Sequence, residues 1–349
     1  MHLFPNRREW AEAGSNVRER LFRGHIADLR PQQPGAILAE GPQRTVWRYH
    51  RTAPARGRPV LLVPPLAAPA LCFDLRRGCS VAEHMIASGR PTYLVDYGAI
   101  SFGDRHLGLE HWVRDVLPEA VRSVSADAGG EPVQLVGWCL GGIMSVVMAA
   151  EHSELPIASI ALVASPFDFS QVPLIAPLRP LFEMTDGAIG RVFYRTFGGA
   201  PARLVQAAYQ FAGLEKYLTK PLAIVRNLDD REFLAQIEAV DRFMSNMLAY
   251  PGRTFGQLYH HILGANALAE GRMTLAGQTI DIRSVLVPLL NIAGEGDGIA
   301  PKAAVHHLGR LIPSTQLETC PGGHLGVLTG RAARHTTWAV IDAFLDRTK

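Results

Sequence analysis

The chain has four cysteines in 349 residues, Cys72, Cys79, Cys139 and Cys320. No two form a C-x-x-C pair, and four in 349 residues make no disulfide framework. No apolar run approaches the roughly 20 residues that span a bilayer. The start, MHLFPNRREWAEAGSNVRER, lacks the continuous apolar segment of a secretory signal. Neither sign of charge dominates, with 35 Lys and Arg against 32 Asp and Glu. The net charge is +3, so nothing draws the chain as a whole toward nucleic acid. No His/Cys/Asp cluster has ligand spacing, so no metal is expected. There is no internal repeat and no low-complexity segment. These absences leave a reducing cytoplasm as the expected compartment, where a reactive thiol survives.

What is present is ordinary for a globular protein: 48% apolar and 19% charged residues, enough to bury a large core. The length is long for one domain and short for two, which favours one core carrying an insertion. Charge is uneven along the chain. Residues 1–60 hold 11 Arg against 5 Asp and Glu. That excess either steers an anionic ligand or marks a solvated leader, and the leader is the simpler reading.

Residues 1–58 are polar, with Pro and Gly, and read as an irregular or partly helical leader. From Pro59 strands and helices alternate. PVLLVPP, PTYLVDY, VQLVGW and IASIALVAS have strand character, and SVAEHMIASG has helical spacing with a glycine stop. LGLEHWVRDVLPEAVRSVSADAGG reads as a long amphipathic helix that Pro118 bends or breaks. The alternation argues for an α/β fold with a mostly parallel, doubly wound sheet. It stops at residue 165 and resumes at VLVPLLNIAGEGD, followed by KAAVHHLGRLI, TQLETC and HTTWAVIDAFLDR. Residues 59–165 and 285–349 therefore form the core. Residues 166–284, mainly helical in pattern, form an inserted cap over it, with Phe182, Phe193, Tyr194, Phe243 and Met247 among its apolar residues.

The stretch VQLVGWCLGGIMSVVMAA reads as strand, sharp turn and buried helix. Serine hydrolases put their nucleophile at the apex of such a turn, in G-x-S-x-G. Here the apex of Gly137-Trp138-Cys139-Leu140-Gly141 is a thiol. A helix N-terminus beneath it lowers a thiol pKa. The next parts expected in chain order are an acid and a histidine. Asp297 follows a strand in AGEGDGIAP, and His324 follows the next strand in CPGGHLGVL. Each alone has an ordinary explanation: a small core cysteine, a helix-capping aspartate, a histidine satisfying a loop carbonyl. Together, in order and at strand ends, Cys139, Asp297 and His324 read as nucleophile, acid and base. His306 and His307 fall within a helix, His260 and His261 within the insertion, and His335 opens the last helix. The oxyanion hole is expected from the backbone N–H of Leu140 and of Leu66, with Ala67 the alternative to Leu66. The other three cysteines are best read as structural.

At this point the chain resembles a known family. LLVPPLAAPALCFDLRRGCSVAEHMIASGRPTYLVDYG, LVGWCLGG, VLVPLLNIAGEGDGIAP, GGHLGVL and the insertion segment YPGRTFGQLYHHILGANALAEGRMTLAGQTIDI are similar to the polyhydroxyalkanoate synthases, the short class III type above all. The resemblance spans roughly residues 59–345. It implies an α/β-hydrolase fold and a cysteine nucleophile, Cys139 by position, with His324 as base and Asp297 as acid. It implies transfer of 3-hydroxyacyl groups from coenzyme A thioesters into polyester, with acyl-CoA as substrate and no cofactor. Homo-oligomers, a partner synthase subunit and a granule surface belong to the same expectation. The chain departs from the family's D-H-x-x-P-W at Gly298 and Lys302, carries Trp138 where a Tyr is common, and has Asp241, Arg242 and Phe243 where an aromatic is usual. A cysteine-dependent thioesterase or intracellular polyester depolymerase is the alternative outcome. A non-catalytic ligand-binding protein on the same scaffold is the second.

Overall fold

The computed structural model describes residues 7–30, 34–50, 54–173, 196–212 and 214–349. Its centre is an eight-stranded sheet: β1 (Pro34–Gly41), β2 (Arg44–Tyr49), β3 (Val60–Val63), β4 (Thr92–Asp96), β5 (Val133–Trp138), β6 (Ile157–Val163), β7 (Leu289–Gly294) and β8 (Gln316–Cys320). The spatial order is β1-β2-β4-β3-β5-β6-β7-β8. Strands β3 to β8 pair in parallel, and β1 and β2 add an antiparallel edge.

Burial on both faces explains why the inner strands are continuous apolar runs. Successive side chains alternate between two cores. Leu61, Val63, Val133 and Leu135 join one, together with Trp112 and Val121 from the chain around α3 (Leu117–Asp127) and Ile143 and Met144 of α4 (Leu140–Glu151). Val60, Leu62 and Val136 join the other, with Met85 of α2 (Val81–Ala87) and Trp338, Ile341 and Phe344 of the closing helix Thr337–Arg347. The α/β expectation is met.

One local expectation is corrected. The leader reading of residues 1–58 fails over β1 and β2, which extend the sheet. These strands half-expose their residues at the sheet edge, so they carry no buried apolar run. The stretch at 109–127 is helical throughout, as its pattern predicts, and its irregularity falls at Pro118: a π-helical segment, His111–Val116, runs directly into α3 there, with the Leu117 N–H donating to the Trp112 carbonyl. Within 166–284 the described residues form α5 (Ala202–Ala212), α6 (Leu214–Arg226), α7 (Arg231–Ser245), a further helical stretch over 252–264 and a hairpin of Arg272–Leu275 with Gln278–Asp281. Phe182, Phe193 and Tyr194 lie outside the described residues. Near the N-terminus, α1 (Arg7–Arg23) packs beside α7.

Candidate active site

Cys139 stands between β5 and α4 with φ 52° and ψ −121°, a conformation L-residues rarely adopt. The surroundings hold it there. Its N–H donates to the Val163 carbonyl at 2.9 Å, and its own carbonyl accepts from Gly142 and Ile143 at 3.1 and 3.2 Å. The flanking glycines are required by contact. A Cβ on Gly137 would meet Gly142 Cα at 2.6 Å, and one on Gly141 would meet the Val63 carbonyl oxygen at 2.3 Å. The thiol is part-exposed, while the helix behind it is buried almost all round.

The loops after β7 and β8 bring Asp297 and His324 together. Gly296 N–H donates to the Gly322 carbonyl at 2.9 Å, which laces one loop to the other. His324 Nδ1–H donates to Asp297 Oδ2 at 2.8 Å, and both side chains are buried. The other carboxylate oxygen accepts from the N–H groups of Ile299 and Ala300, each at 2.8 Å. Asp297 thus caps the following turn with one oxygen and orients the imidazole with the other. Nε2 of His324 has no other hydrogen-bond partner and is left for the thiol. Burial alone would push the imidazole pKa down. The charges of Cys139 and Asp297 and their side-chain contacts outweigh it and lift the pKa to about 10.

The competing histidines are otherwise employed. Nε2 of His306 lies 2.9 Å from the Glu318 carbonyl, and Nε2 of His307 lies 2.9 Å from that of Ala269. Cys72, Cys79 and Cys320 are buried. Leu140 opens α4, so its N–H belongs to the first turn, which has no intrahelical acceptor. Leu66 and Ala67 share a turn directly after Pro64 and Pro65, and Pro64 touches the elbow at Gly141. Ala67 has φ 61°. Among the described residues no group of three or more His, Cys, Asp or Glu is placed to hold a metal ion.

Two cavities meet at the site. One of about 280 Å³ opens on Cys139 and is walled by Ile143, Phe169, Tyr250, Phe255 and Ile262. The other, of about 590 Å³, lies against His324, between Trp138, Gln236, Phe243 and Gly298. Tyr209 and Ile299 line both. Burial first, then the charges of Tyr250, Cys139 and Asp297, holds the Tyr209 hydroxyl well above its usual pKa, so it stays protonated. Sequence reasoning missed Tyr209, which lies in none of the quoted segments, and gave no role to Tyr250 or Ile299 within theirs. It also missed the work of Trp138. That indole donates from Nε1 to the His324 carbonyl at 3.1 Å, its ring lies 5.1 Å from the imidazole, and Phe243 packs edge-on against it at 5.9 Å.

A sharp strand–turn–helix carrying a nucleophile, followed in chain order by an acid and a histidine at later strand ends, is the arrangement of one family. The model of the alpha/beta hydrolase fold matches residues 58–331, and the chain belongs to that family. Within it the chain is similar to polyhydroxyalkanoate synthases, in agreement with the sequence motifs. It is 26% identical to the poly(3-hydroxyalkanoate) polymerase subunit of Haloferax mediterranei over 98% of this chain and 71% of that one. It is 26% identical to the corresponding subunit of Allochromatium vinosum over 92% and 91%. Solved structures share the fold. A Paleococcus ferrophilus monoacylglycerol lipase gives a TM-score of 0.54 at 15% identity, over 87% of this chain and 99% of that one. A Thermogutta terrifontis esterase gives 0.52 at 14% identity, over 90% and 99%.

Proposed function

We propose that the chain is a polyhydroxyalkanoate synthase-like acyltransferase, moving 3-hydroxyacyl groups from coenzyme A thioesters through an acyl-Cys139 intermediate. The observation that carries this reading is a thiol on the elbow beside a buried imidazole–carboxylate pair. His324, oriented by Asp297, takes the thiol proton. The thiolate attacks the thioester carbonyl, and the N–H groups of Leu140 and Leu66 (or Ala67) hold the oxyanion. The C–S bond to coenzyme A breaks, and the imidazolium returns the proton to the departing thiolate. The acyl group now sits in a new thioester, as reactive as the first. His324 then deprotonates the 3-hydroxyl of the next unit, whose oxygen attacks the acyl-Cys; the C–S bond to Cys139 breaks, the ester is released, and the imidazolium returns its proton to the Cys139 sulfur.

A thiol suits this sequence better than a hydroxyl, because a serine ester would discard the activation of the thioester. The apolar walls around Cys139 support it too, since water must be kept from the acyl-Cys. Phe169, Tyr209, Tyr250 and Phe255 in those walls come from residues 166–284, which on this reading act as the lid. The chemistry as written calls for no cofactor or metal. The cytoplasm is the compartment that fits a reactive thiol, and a partner synthase subunit remains part of the proposal. One observation favours hydrolysis: a Cβ at Gly298 would meet nothing within 4 Å, so the space beside the acid is open.

The deciding experiment supplies 3-hydroxybutyryl-CoA and follows both products. Coenzyme A released together with ester-linked oligomer is expected. Release in step with free 3-hydroxybutyrate, with no oligomer even when a class III partner subunit is added, would replace this reading with a thioesterase.

A further inference from the structure

Helix α1 is held with a polar side inward. Asn16 Nδ2 donates to the carbonyl oxygens of Leu228 at 2.8 Å and Asp229 at 3.3 Å. Glu19, one turn on, pairs with Arg231, whose Nη2 lies at 2.9 Å. Directly after the helix, the N–H groups of Ile26 and Ala27 both donate to Glu238 at 2.8 Å. Ile26 and Ala27 also pack on Leu234 and Ala235 of α7. These contacts set the orientation of α1 on the body of the protein.

The opposite side faces outward and is apolar. Trp10, Val17 and Leu21, at i, i+7 and i+11, form one stripe and are 67%, 42% and 78% exposed. At roughly 100° per residue, Arg18 and Arg20 flank this stripe on its two sides, each about 80° from its centre. Arg18 lies over the Phe22 ring at 5.8 Å. The surplus of arginine in residues 1–60, 11 against 5 acids, has no use in the site around Cys139.

A tryptophan-bearing apolar stripe rimmed by arginine is the pattern of a helix lying in a lipid headgroup region. We propose that α1 docks the protein on an anionic phospholipid surface, with Trp10, Val17 and Leu21 entering the headgroup–acyl boundary and Arg18 and Arg20 pairing with lipid phosphates. A second copy of the chain is the poorer occupant, because stacking two such stripes brings the two arginine rims together. The proposal is independent of the acyl-transfer reading, since no residue of α1 touches the Cys139 site.

The test is flotation of the full-length protein with vesicles of phosphatidylcholine alone or mixed with phosphatidylglycerol. Binding is expected only with phosphatidylglycerol and should be lost near 1 M salt. The variant Trp10→Ser/Val17→Ser/Leu21→Ser should bind at least ~10-fold more weakly. Arg18→Gln/Arg20→Gln should lose about 25-fold, since each arginine near an anionic surface is worth about fivefold. Brominated lipid should quench a fluorescence component that Trp10→Phe removes. All variants should keep the wild-type unfolding midpoint and the rate of coenzyme A release from soluble thioester. Flotation that ignores lipid charge, absence of flotation, or a triple variant that floats like wild type would overturn the proposal. A wild-type dimer that the triple variant converts to monomer would overturn it too, making the stripe a self-association face.

Discussion

Trp138, the residue before the elbow thiol, donates its indole N–H to the main-chain carbonyl of His324, 186 residues away. The strand that presents the sulfur therefore also holds the loop that presents the imidazole. Trp138→Phe removes this hydrogen bond while keeping most of the packing against Phe243. Turnover should fall about tenfold, the scale of one lost buried hydrogen bond, with little change in KM. Comparison of steady-state kinetics with the rate of Cys139 alkylation checks this. An unchanged kcat would mean the loop is held without the indole.

Cys139→Ala should leave the fold intact and abolish acyl transfer, because only a part-exposed sulfur at an apex is removed. Cys139→Ser should also be poor, since a hydroxyl is far less acidic than a thiol. His324→Ala should cost about 10³-fold or more. His306→Ala and His307→Ala, which lose only a contact to a carbonyl, should cost little. Comparable losses at all three histidines, read from coenzyme A release, would misassign the base.

The imidazole of His324 has its pKa raised from 6.5 to about 10. A group whose folded pKa lies above its unfolded value stabilises the fold fully below the unfolded pKa. That contribution is lost as pH rises through the folded one. Urea unfolding should therefore show wild type losing stability between about pH 7 and 10 more steeply than His324→Gln. NMR of the imidazole should show the pKa falling in Cys139→Ala and in Asp297→Asn, because each removes a charge that raises it. A ring titrating near 6.5 in wild type would remove the basis of this prediction.

Gly141→Ala would drive a methyl to 2.3 Å from the Val63 carbonyl oxygen and 2.6 Å from that of Pro64. Both are backbone atoms and cannot step aside. Destabilisation of about 3 kcal/mol is expected, at the upper end of overpacking costs. Thermal denaturation measures it. Gly298→Ala, where a Cβ meets nothing, is the matched control and should melt as wild type does.

Much of the site was legible because its signals are local. Gly137, Cys139 and Gly141 lie within five residues, and the sharp turn they make depends on contacts between neighbours in the chain. Asp297 and His324 were legible by their order and by the short strands before them, since a parallel sheet brings the ends of such strands to one edge. Residues Arg44–Tyr49 read as leader because most of their side chains stay partly exposed beside the edge strand β1, so no continuous apolar run announces the strand.

The sequence by itself determined the α/β alternation, the interruption after residue 165, and a thiol where hydrolases of this fold carry a hydroxyl. Each is written in the spacing of neighbouring residues. Only the tertiary structure decided which tyrosines wall the thiol, that Trp138 holds the base loop, and that the apolar stripe of α1 points outward. Those outcomes rest on contacts between segments far apart in the chain, up to 213 residues for Asn16 with Asp229. An amphipathic pattern states that a helix has two faces. Which one is buried depends on the groups it meets, and for α1 these are the carbonyl oxygens of Leu228 and Asp229 and the guanidinium of Arg231, which bind the polar side.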